Sequence, residues 1–248
     1  MKSMRYGDYT YLEIKDLITE GCMAIVPTGC TEQQGPHLPV DNDTWFVETV
    51  AFNAAKLAME QYGVRSLVLP AFPFGPTPEH RNFGFGYVNI PHSIHEDLVG
   101  HVLVSLAEQG FNRIVVWRGC GEHRLQSAVN SFNETHLGEA NAFLPDLPYH
   151  DIWCRIGDPK VSGGHADSFT TSLSLVLRSG SVRTGEIPSG CSKSPDWNDP
   201  NLDFSDFSDT GVIGDASHTS EQLGLNLWEE IKKVVAGVFR DIAEMPLR

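Results

Sequence analysis

The stretch PTGCTEQQGPHLPVDND (27–43) carries three acids, one histidine, two glutamines and three prolines, and it follows a short apolar run. The carboxylates of Glu32 and Asp43 are hard oxygen ligands, and a carboxylate can bridge two ions with its two oxygens. The alternative for Asp43 is an N-cap of the helix that follows. That alternative does not account for Glu32, Gln34 and His37 beside it, so we expect a metal site here.

Three further polar clusters lie next to predicted strands or helices. TPEHRNFGFGY (77–87) lies downstream of a buried strand, RGCGEH (118–123) directly follows another, and SGGHADSF (162–169) precedes a helix. Ligands of open parallel sheets bind outside the carboxyl ends of the strands. We therefore expect all four clusters to converge on one edge of the sheet.

Several side chains of these clusters suit metal binding or proton transfer. Cys120, Glu122 and His123 bring a thiolate, a carboxylate and an imidazole together, although a buried cysteine beside a solvated glutamate is the alternative. His165 can serve as a general acid or base, or it can simply be solvated. Spacing alone gives four other histidines a structural or solvated role: His80, His92, His95 and His101.

The elements that must position these residues alternate along the chain. Apolar runs rich in Val, Ile and Leu at 23–29, 65–71 and 113–119 predict strands of a parallel sheet buried on both faces. Helices are predicted at 44–61, at 93–108 with a Ser93–Glu96 capping box, at 122–135, at 168–177 and at 220–243 with Thr219 or Ser220 as the N-cap. This alternation predicts an α/β fold, a three-layer α/β/α sandwich with a mostly parallel sheet, as one domain over residues 1–248.

The composition indicates which partners and which cellular compartment to expect. The formal net charge of −14 disfavours nucleic acid and anionic membrane surfaces, and no apolar run is long enough to cross a bilayer. Five scattered cysteines without a CxxC motif and an N-terminus without a signal peptide indicate a cytoplasmic protein. Residues 185–209, rich in Ser, Pro, Asp and Asn, predict a long surface loop that covers a site or a subunit contact.

Several of these motifs match a known family. GCTEQQGPHLPVDND (29–43) resembles the GSxEQHGPHLPLxTD signature of the creatininase (creatinine amidohydrolase) family. PEH (78–80), HADSFTTSLSL (165–175) and TGVIGDASHTSEQLG (210–224) resemble further segments of that family, and RGCGEH stands where the family has NGHxxN. The resemblance covers nearly the whole chain. It implies an α/β/α domain, a homo-oligomer that is often a hexamer, and two divalent ions with a water that attacks an amide carbonyl.

The same resemblance implies roles for individual residues. Asp43 would bridge the two ions, Glu32 and Cys120 would complete one position, and Gln34 and Glu122 would complete the other. His165 matches the histidine that contacts the substrate and helps to protonate the leaving nitrogen. The candidate substrate contacts are four further residues: His37, His80, His123 and Thr170.

The departures from the family all fall in this site. Gln34 and Cys120 replace the two ligand histidines, and Thr170 replaces the glutamate of the family's ETS segment. A carboxamide oxygen is a weaker ligand than imidazole, whereas a thiolate suits zinc and disfavours manganese. We therefore expect one ion in preference to two, zinc before manganese or iron, with a site that holds no ion as the alternative.

Three functions are compatible with these residues. The first is a metal-dependent hydrolase of a small amide, cyclic by preference, with Glu122 as ligand or general base and His165 as general acid. The second is a metal-independent enzyme with Cys120 as its nucleophile. The third is an inactive member of the family that binds a small molecule.

Overall fold

A parallel sheet lies at the centre of the fold. The computed structural model describes residues 1–119, 123–157, 164–190 and 192–247. Within these residues the sheet has four strands in the order β2-β1-β3-β4. They are β1 (Met23–Thr28), β2 (Ser66–Val68), β3 (Arg113–Arg118) and β4 (Asn141–Phe143). The three predicted strands are confirmed, and β4 was not predicted because Asn141–Phe143 contains no Val, Ile or Leu.

Seven α-helices surround the sheet in the part of the chain that the structure describes. They are α1 (Tyr11–Thr19), α2 (Asn42–Tyr62), α3 (His92–Glu108), α4 (Gln126–Thr135), α5 (Tyr149–Ile156), α6 (Ser168–Leu177) and α7 (Glu221–Glu244). The five predicted helices are present, α6 with the predicted bounds and the other four with shifted ends, whereas α1 and α5 were not predicted. No described helix is both long enough and apolar enough to cross a bilayer.

The helices form one layer on each face of the sheet. Ile25 and Val115 point to one face and pack against α2, α5, α6 and α7, within one cluster of buried side chains. Ala24 and Val116 point to the other face and pack against α1, α3 and α4. Because successive strand residues face opposite ways, the uninterrupted apolar runs fill two cores. The predicted three-layer α/β/α sandwich is confirmed.

The helix ends correct two expectations. Asp43 lies inside the first turn of α2 and is not its N-cap, so the capping alternative for this carboxylate is wrong. The capping box predicted at Ser93 is also wrong, because α3 begins at His92 and Pro91 at the cap position makes no side-chain cap bond. Ser220 is the N-cap of α7, as predicted, and its hydroxyl accepts a hydrogen bond from the Leu223 amide at 3.2 Å.

His95 is a buried histidine on the inner side of α3. Its ring lies 4.6 Å from that of His123, and its Nε2 has no hydrogen-bond partner among the described residues. Burial, together with the nearby charge of His92, lowers the pKa of His95 to about 4. The imidazole is therefore neutral in the folded protein at any pH near neutrality.

This histidine makes the fold acid-sensitive. The unfolded chain protonates His95 below about pH 6.5, whereas the folded chain does so only near pH 4, so stability falls as the pH falls through that window. The loss for this one group is about 1 kcal/mol at pH 5.5. Between about pH 7.5 and pH 5.5 the free energy of unfolding should fall by about 1 kcal/mol less in His95→Leu than in the wild-type chain. Urea titration at the two pH values measures this difference. His101→Leu, at an exposed position of α3, is the control; equal pH dependence in the two variants would contradict the assignment.

Candidate active site

One cavity collects the four polar clusters of the sequence. It has a volume of about 660 Å³, and its walls include Gln34, Glu79, Gly119 and His165, one residue from each cluster. Gln34 follows β1 and Gly119 directly follows β3, so the cavity lies beyond the carboxyl ends of these strands. The expected convergence on one edge of the sheet is confirmed for the described residues.

A tight approach between the loop after β1 and the start of α2 builds the first part of the site. A Cβ atom at Gly29 would lie 2.5 Å from the Cα of Thr44, so only glycine permits this packing. The Thr44 hydroxyl donates to the Cys30 carbonyl at 2.8 Å and ties the loop to the helix. This contact brings Cys30 and Glu32 against Asp43.

Neutral donors hold the carboxylates of Glu32 and Asp43 together. The Gln34 Nε2 amide donates to Glu32 Oε1 at 3.2 Å and to Asp43 Oδ1 at 3.0 Å. The Cys30 thiol lies 3.1 Å from Glu32 Oε2 and 3.3 Å from Asp43 Oδ2. Sequence reasoning missed Cys30, although its position two residues before Glu32 was a signal. Cys30, Glu32 and Asp43 are close enough to share one metal ion.

The tautomer of His80 follows from the amide of Gln33. Gln33 Oε1 accepts from the Gly35 amide at 2.9 Å, and Gln33 Nε2 donates to the Gly211 carbonyl at 3.0 Å. The amide nitrogen must therefore also donate to His80 Nδ1, at 3.1 Å. The neutral His80 ring then carries its proton on Nε2, which faces Glu32 Oε2 at 3.4 Å. His80 thus offers no lone pair to a metal ion at Nε2, and this atom has no hydrogen-bond partner among the described residues.

His165 has the opposite tautomer. Its Nε2 donates to the Gln33 carbonyl at 2.6 Å, so the lone pair on Nδ1 faces Glu32 Oε1 at 3.4 Å. Burial lowers the pKa of His165 to about 3, which keeps the ring neutral. The next residue, Ala166, has a φ of 52°, an uncommon left-handed conformation that directs this turn of the chain. His165 therefore offers the site a hydrogen-bond acceptor.

Two acids at the cavity wall were not predicted. Burial raises the pKa of Glu79 to about 7, and Glu79 Oε1 lies 3.3 Å from His80 Nε2. Asp167 caps α6, accepting from the amides of Phe169 at 3.1 Å and Thr170 at 3.3 Å, and burial raises its pKa to about 6. The sequence did contain a signal for Asp167, since aspartate directly before a helix is a favoured N-cap.

Aromatic rings form the remaining apolar wall. Six of them line the cavity: Phe46, Tyr149, Trp153, Phe169, Trp197 and Phe204. Trp197 and Phe204 belong to the 185–209 segment, so part of this segment lines the cavity. A planar ligand fits between such rings because they offer flat apolar faces.

The structure separates the other predicted residues. Thr170 lines the cavity, whereas Cys120 and Glu122 lie outside the described residues. His37 is buried away from the cavity wall, with its Nε2 2.7 Å from the Thr171 hydroxyl. His123 is also buried away from that wall, with its Nδ1 3.0 Å from the Thr28 hydroxyl. The geometry therefore gives the substrate roles predicted for His37 and His123 no support.

Comparison with known sequences places the chain in a family. The model of the creatininase family (creatinine amidohydrolase) matches residues 7–238. A mycofactocin precursor peptide peptidase of Mycolicibacterium smegmatis is 30% identical over 172 residues, 68% of this chain and 63% of that protein. The protein of the same name from Mycobacterium tuberculosis is 28% identical over 82% of this chain and 79% of that protein's length. A 3-dehydro-scyllo-inosose hydrolase of Thermotoga maritima is 27% identical over 68% of this chain and 54% of its own.

Solved structures agree on the fold. A manganese creatininase superposes with a TM-score of 0.82 at 20% identity, over 98% of this chain and 100% of the other. A creatininase variant of a zinc–zinc type gives a TM-score of 0.82 at 19% identity, over 99% of this chain and 100% of the other. At these identities the likeness is one of fold.

Proposed function

Because the chain belongs to the creatininase family, whose members include hydrolases, we propose that it is a metal-dependent hydrolase of an amide C–N bond in a small molecule, a cyclic amide by preference. The observation that carries this proposal is the carboxylate pair of Glu32 and Asp43 at the wall of an aromatic cavity. A cavity of about 660 Å³ lies within the range of about 300–1,000 Å³ that is usual for small-molecule sites.

The donor set fits a divalent ion. Glu32 and Asp43 provide carboxylate oxygens, and Gln34 Oε1 is buried without a hydrogen-bond partner among the described residues. A buried polar atom left unsatisfied costs about 1–3 kcal/mol, so a cation beside this oxygen would be favourable. By resemblance, Cys120 and Glu122 would complete the site. The chemistry that such an ion supplies when bound is polarisation of a carbonyl and a lowered pKa of a water molecule.

The chain's own residues orient the substrate and move protons. The aromatic walls hold a planar ring and exclude water, which strengthens electrostatic contacts in the cavity. His165 Nδ1 would take a proton from the attacking water and pass it to the leaving nitrogen, the role proposed from the resemblance. Glu122 remains the proposed ligand or general base. His80 Nε2 lies 3.4 Å from Glu32 Oε2 and 3.3 Å from Glu79 Oε1.

A short peptide is the second candidate substrate. The curated relatives from the two mycobacteria are named peptidases of a precursor peptide. The cavity has room for more than one small ring, and the Glu79 carboxylate at its polar wall is an acceptor that suits a backbone amide. Hydrolysis at the end of a short peptide uses the same attack on an amide carbonyl.

Metal analysis and a substrate panel test the proposal together. We expect roughly one divalent ion per purified chain and hydrolysis of a member of a panel of lactams, cyclic ureides and short peptides. Removal of the ion with a chelator should abolish turnover, and added zinc should restore it. Full turnover with less than about a tenth of an ion per chain would contradict the proposal and favour the alternative in which Cys120 is the nucleophile. Ligand binding without turnover would favour the inactive binding protein.

Three further predictions accompany this function. We propose that the chain works as a homo-oligomer, a hexamer by resemblance, in the cytoplasm. We also propose that residues 1–248 form one domain. Light scattering of the purified protein measures the number of chains in the assembly.

A further inference from the structure

We propose that Cys30 is a metal ligand, and that its thiolate makes the Cys30–Glu32–Asp43 group a zinc site. The inference rests on the proposed function, because it concerns the same ion. It adds a sulfur ligand that the resemblance does not assign, since the family signature has serine at this position. The chain thus has Gln34 where the family has a ligand histidine. Four residues earlier it has the thiol of Cys30, which contacts the carboxylates of Glu32 and Asp43.

The three ligand atoms lie close to the spacing that one tetrahedral ion requires. With Zn–S at about 2.3 Å and Zn–O at about 2.1 Å, sulfur and oxygen ligands of a tetrahedron lie about 3.6 Å apart. The Cys30 sulfur lies 3.1 Å from Glu32 Oε2 and 3.3 Å from Asp43 Oδ2. An opening of a few tenths of an ångström, within the reach of side-chain rotation, would therefore admit the ion.

The amide of Gln34 contacts the other oxygen of each carboxylate. Gln34 is buried, and its Oε1 has no hydrogen-bond partner among the described residues, because its Nε2 contacts both carboxylates. The Cys30 sulfur faces the other two oxygens, Glu32 Oε2 and Asp43 Oδ2. The amide therefore holds the two carboxylates side by side and leaves those two oxygens to an ion bound by Cys30.

The donor chemistry selects the metal. One thiolate among carboxylate oxygens suits zinc, whereas manganese prefers a set made only of oxygen and nitrogen donors. As the ion binds, the thiol proton leaves to solvent and the Cys30 sulfur binds as thiolate. Cys30 is fully buried, so its thiol serves an ion within the protein and is not an exposed reactive group.

Cobalt(II) titration of the metal-free full chain tests the ligand. Cobalt bound by thiolate gives a sulfur-to-metal charge-transfer absorption, which oxygen ligands do not give. We expect Cys30→Ser to lose about half of this absorption or more and to bind zinc about 100-fold more weakly, as measured against a chromophoric chelator. Cys154→Ser, at an exposed cysteine, should leave both quantities unchanged.

Cys120, the cysteine that the resemblance assigns to the metal, decides between the outcomes. Unchanged absorption in Cys30→Ser with a complete loss in Cys120→Ser would overturn the inference and leave the proposed function intact. A wild-type chain that binds neither cobalt nor zinc would overturn both. If Cys30→Ser does not fold, zinc-edge X-ray absorption of Cys120→Ser decides: one sulfur neighbour at about 2.3 Å supports Cys30, and none overturns it.

Discussion

Asp43→Asn is expected to lower kcat/KM by at least about 1,000-fold on any amide that the wild-type chain hydrolyses. The carboxylate lies 3.3 Å from the Cys30 thiol and shares the Gln34 amide with Glu32, so it belongs to the proposed ion site. Loss of its charge removes several kcal/mol of transition-state stabilisation, and about 4 kcal/mol corresponds to that factor. Steady-state kinetics and zinc content measure the effect.

A neighbouring aspartate supplies the control. Asp41 is exposed, and its carboxylate pairs with the Arg178 guanidinium at 3.1 Å. Asp41→Asn removes the same charge at the same end of α2, outside the cavity. We expect near wild-type turnover from this variant, and the unfolding temperatures of the two variants should be close. Equal losses of turnover in both would show that the effect is not local to the site.

Gly224→Ala is expected to lower the free energy of unfolding by about 3 kcal/mol, with a fall in Tm on the order of 10 °C. Gly224 is buried where α7 crosses α6. An added Cβ would lie 2.1 Å from the Ser172 carbonyl oxygen and 2.7 Å from Val176 Cγ2. The two helices must separate to accept it, and thermal unfolding followed by circular dichroism measures the result.

The same helix offers a matched control. Gly237 lies in the interior of α7, and no atom lies within 4 Å of a Cβ added there. Gly237→Ala should raise stability by about 1 kcal/mol, because alanine is the better helix former. The prediction therefore requires opposite signs for one substitution at two positions of one helix. A loss of stability in both variants, or in neither, would contradict the close approach of α6 and α7.

The secondary structure was predictable where it depends on local pattern. Buried strands such as Met23–Thr28 and Arg113–Arg118 carry unbroken apolar runs, and helix Ser168–Leu177 has the bounds expected from its sequence. Strand Asn141–Phe143 and helix Tyr149–Ile156 are short and depend on their neighbours for stability. The N-cap predicted for α3 was wrong. The helix begins one residue before Ser93, after Pro91, and the sequence is compatible with either start.

The candidate site was predictable only in part. Motif resemblance identified Glu32, Asp43 and His165, since these residues stand in recognisable sequence contexts. It gave no role to Cys30, whose thiol gains meaning only from the 3.1 Å and 3.3 Å distances to two carboxylates. Likewise, His37 has the type and sequence position of a site residue, yet its ring turns to the Thr171 hydroxyl.

The sequence by itself determined the fold class, the family and the edge of the sheet where the polar clusters meet, because these follow from periodicity, strand order and motif. Only the tertiary structure decided which atoms face one another. The tautomers of His80 and His165 follow from the Gln33 amide and the Gln33 carbonyl. These hydrogen bonds join residues that are far apart in the chain. Which atom donates and which accepts depends on the side-chain rotamers, and no local sequence pattern predicts those.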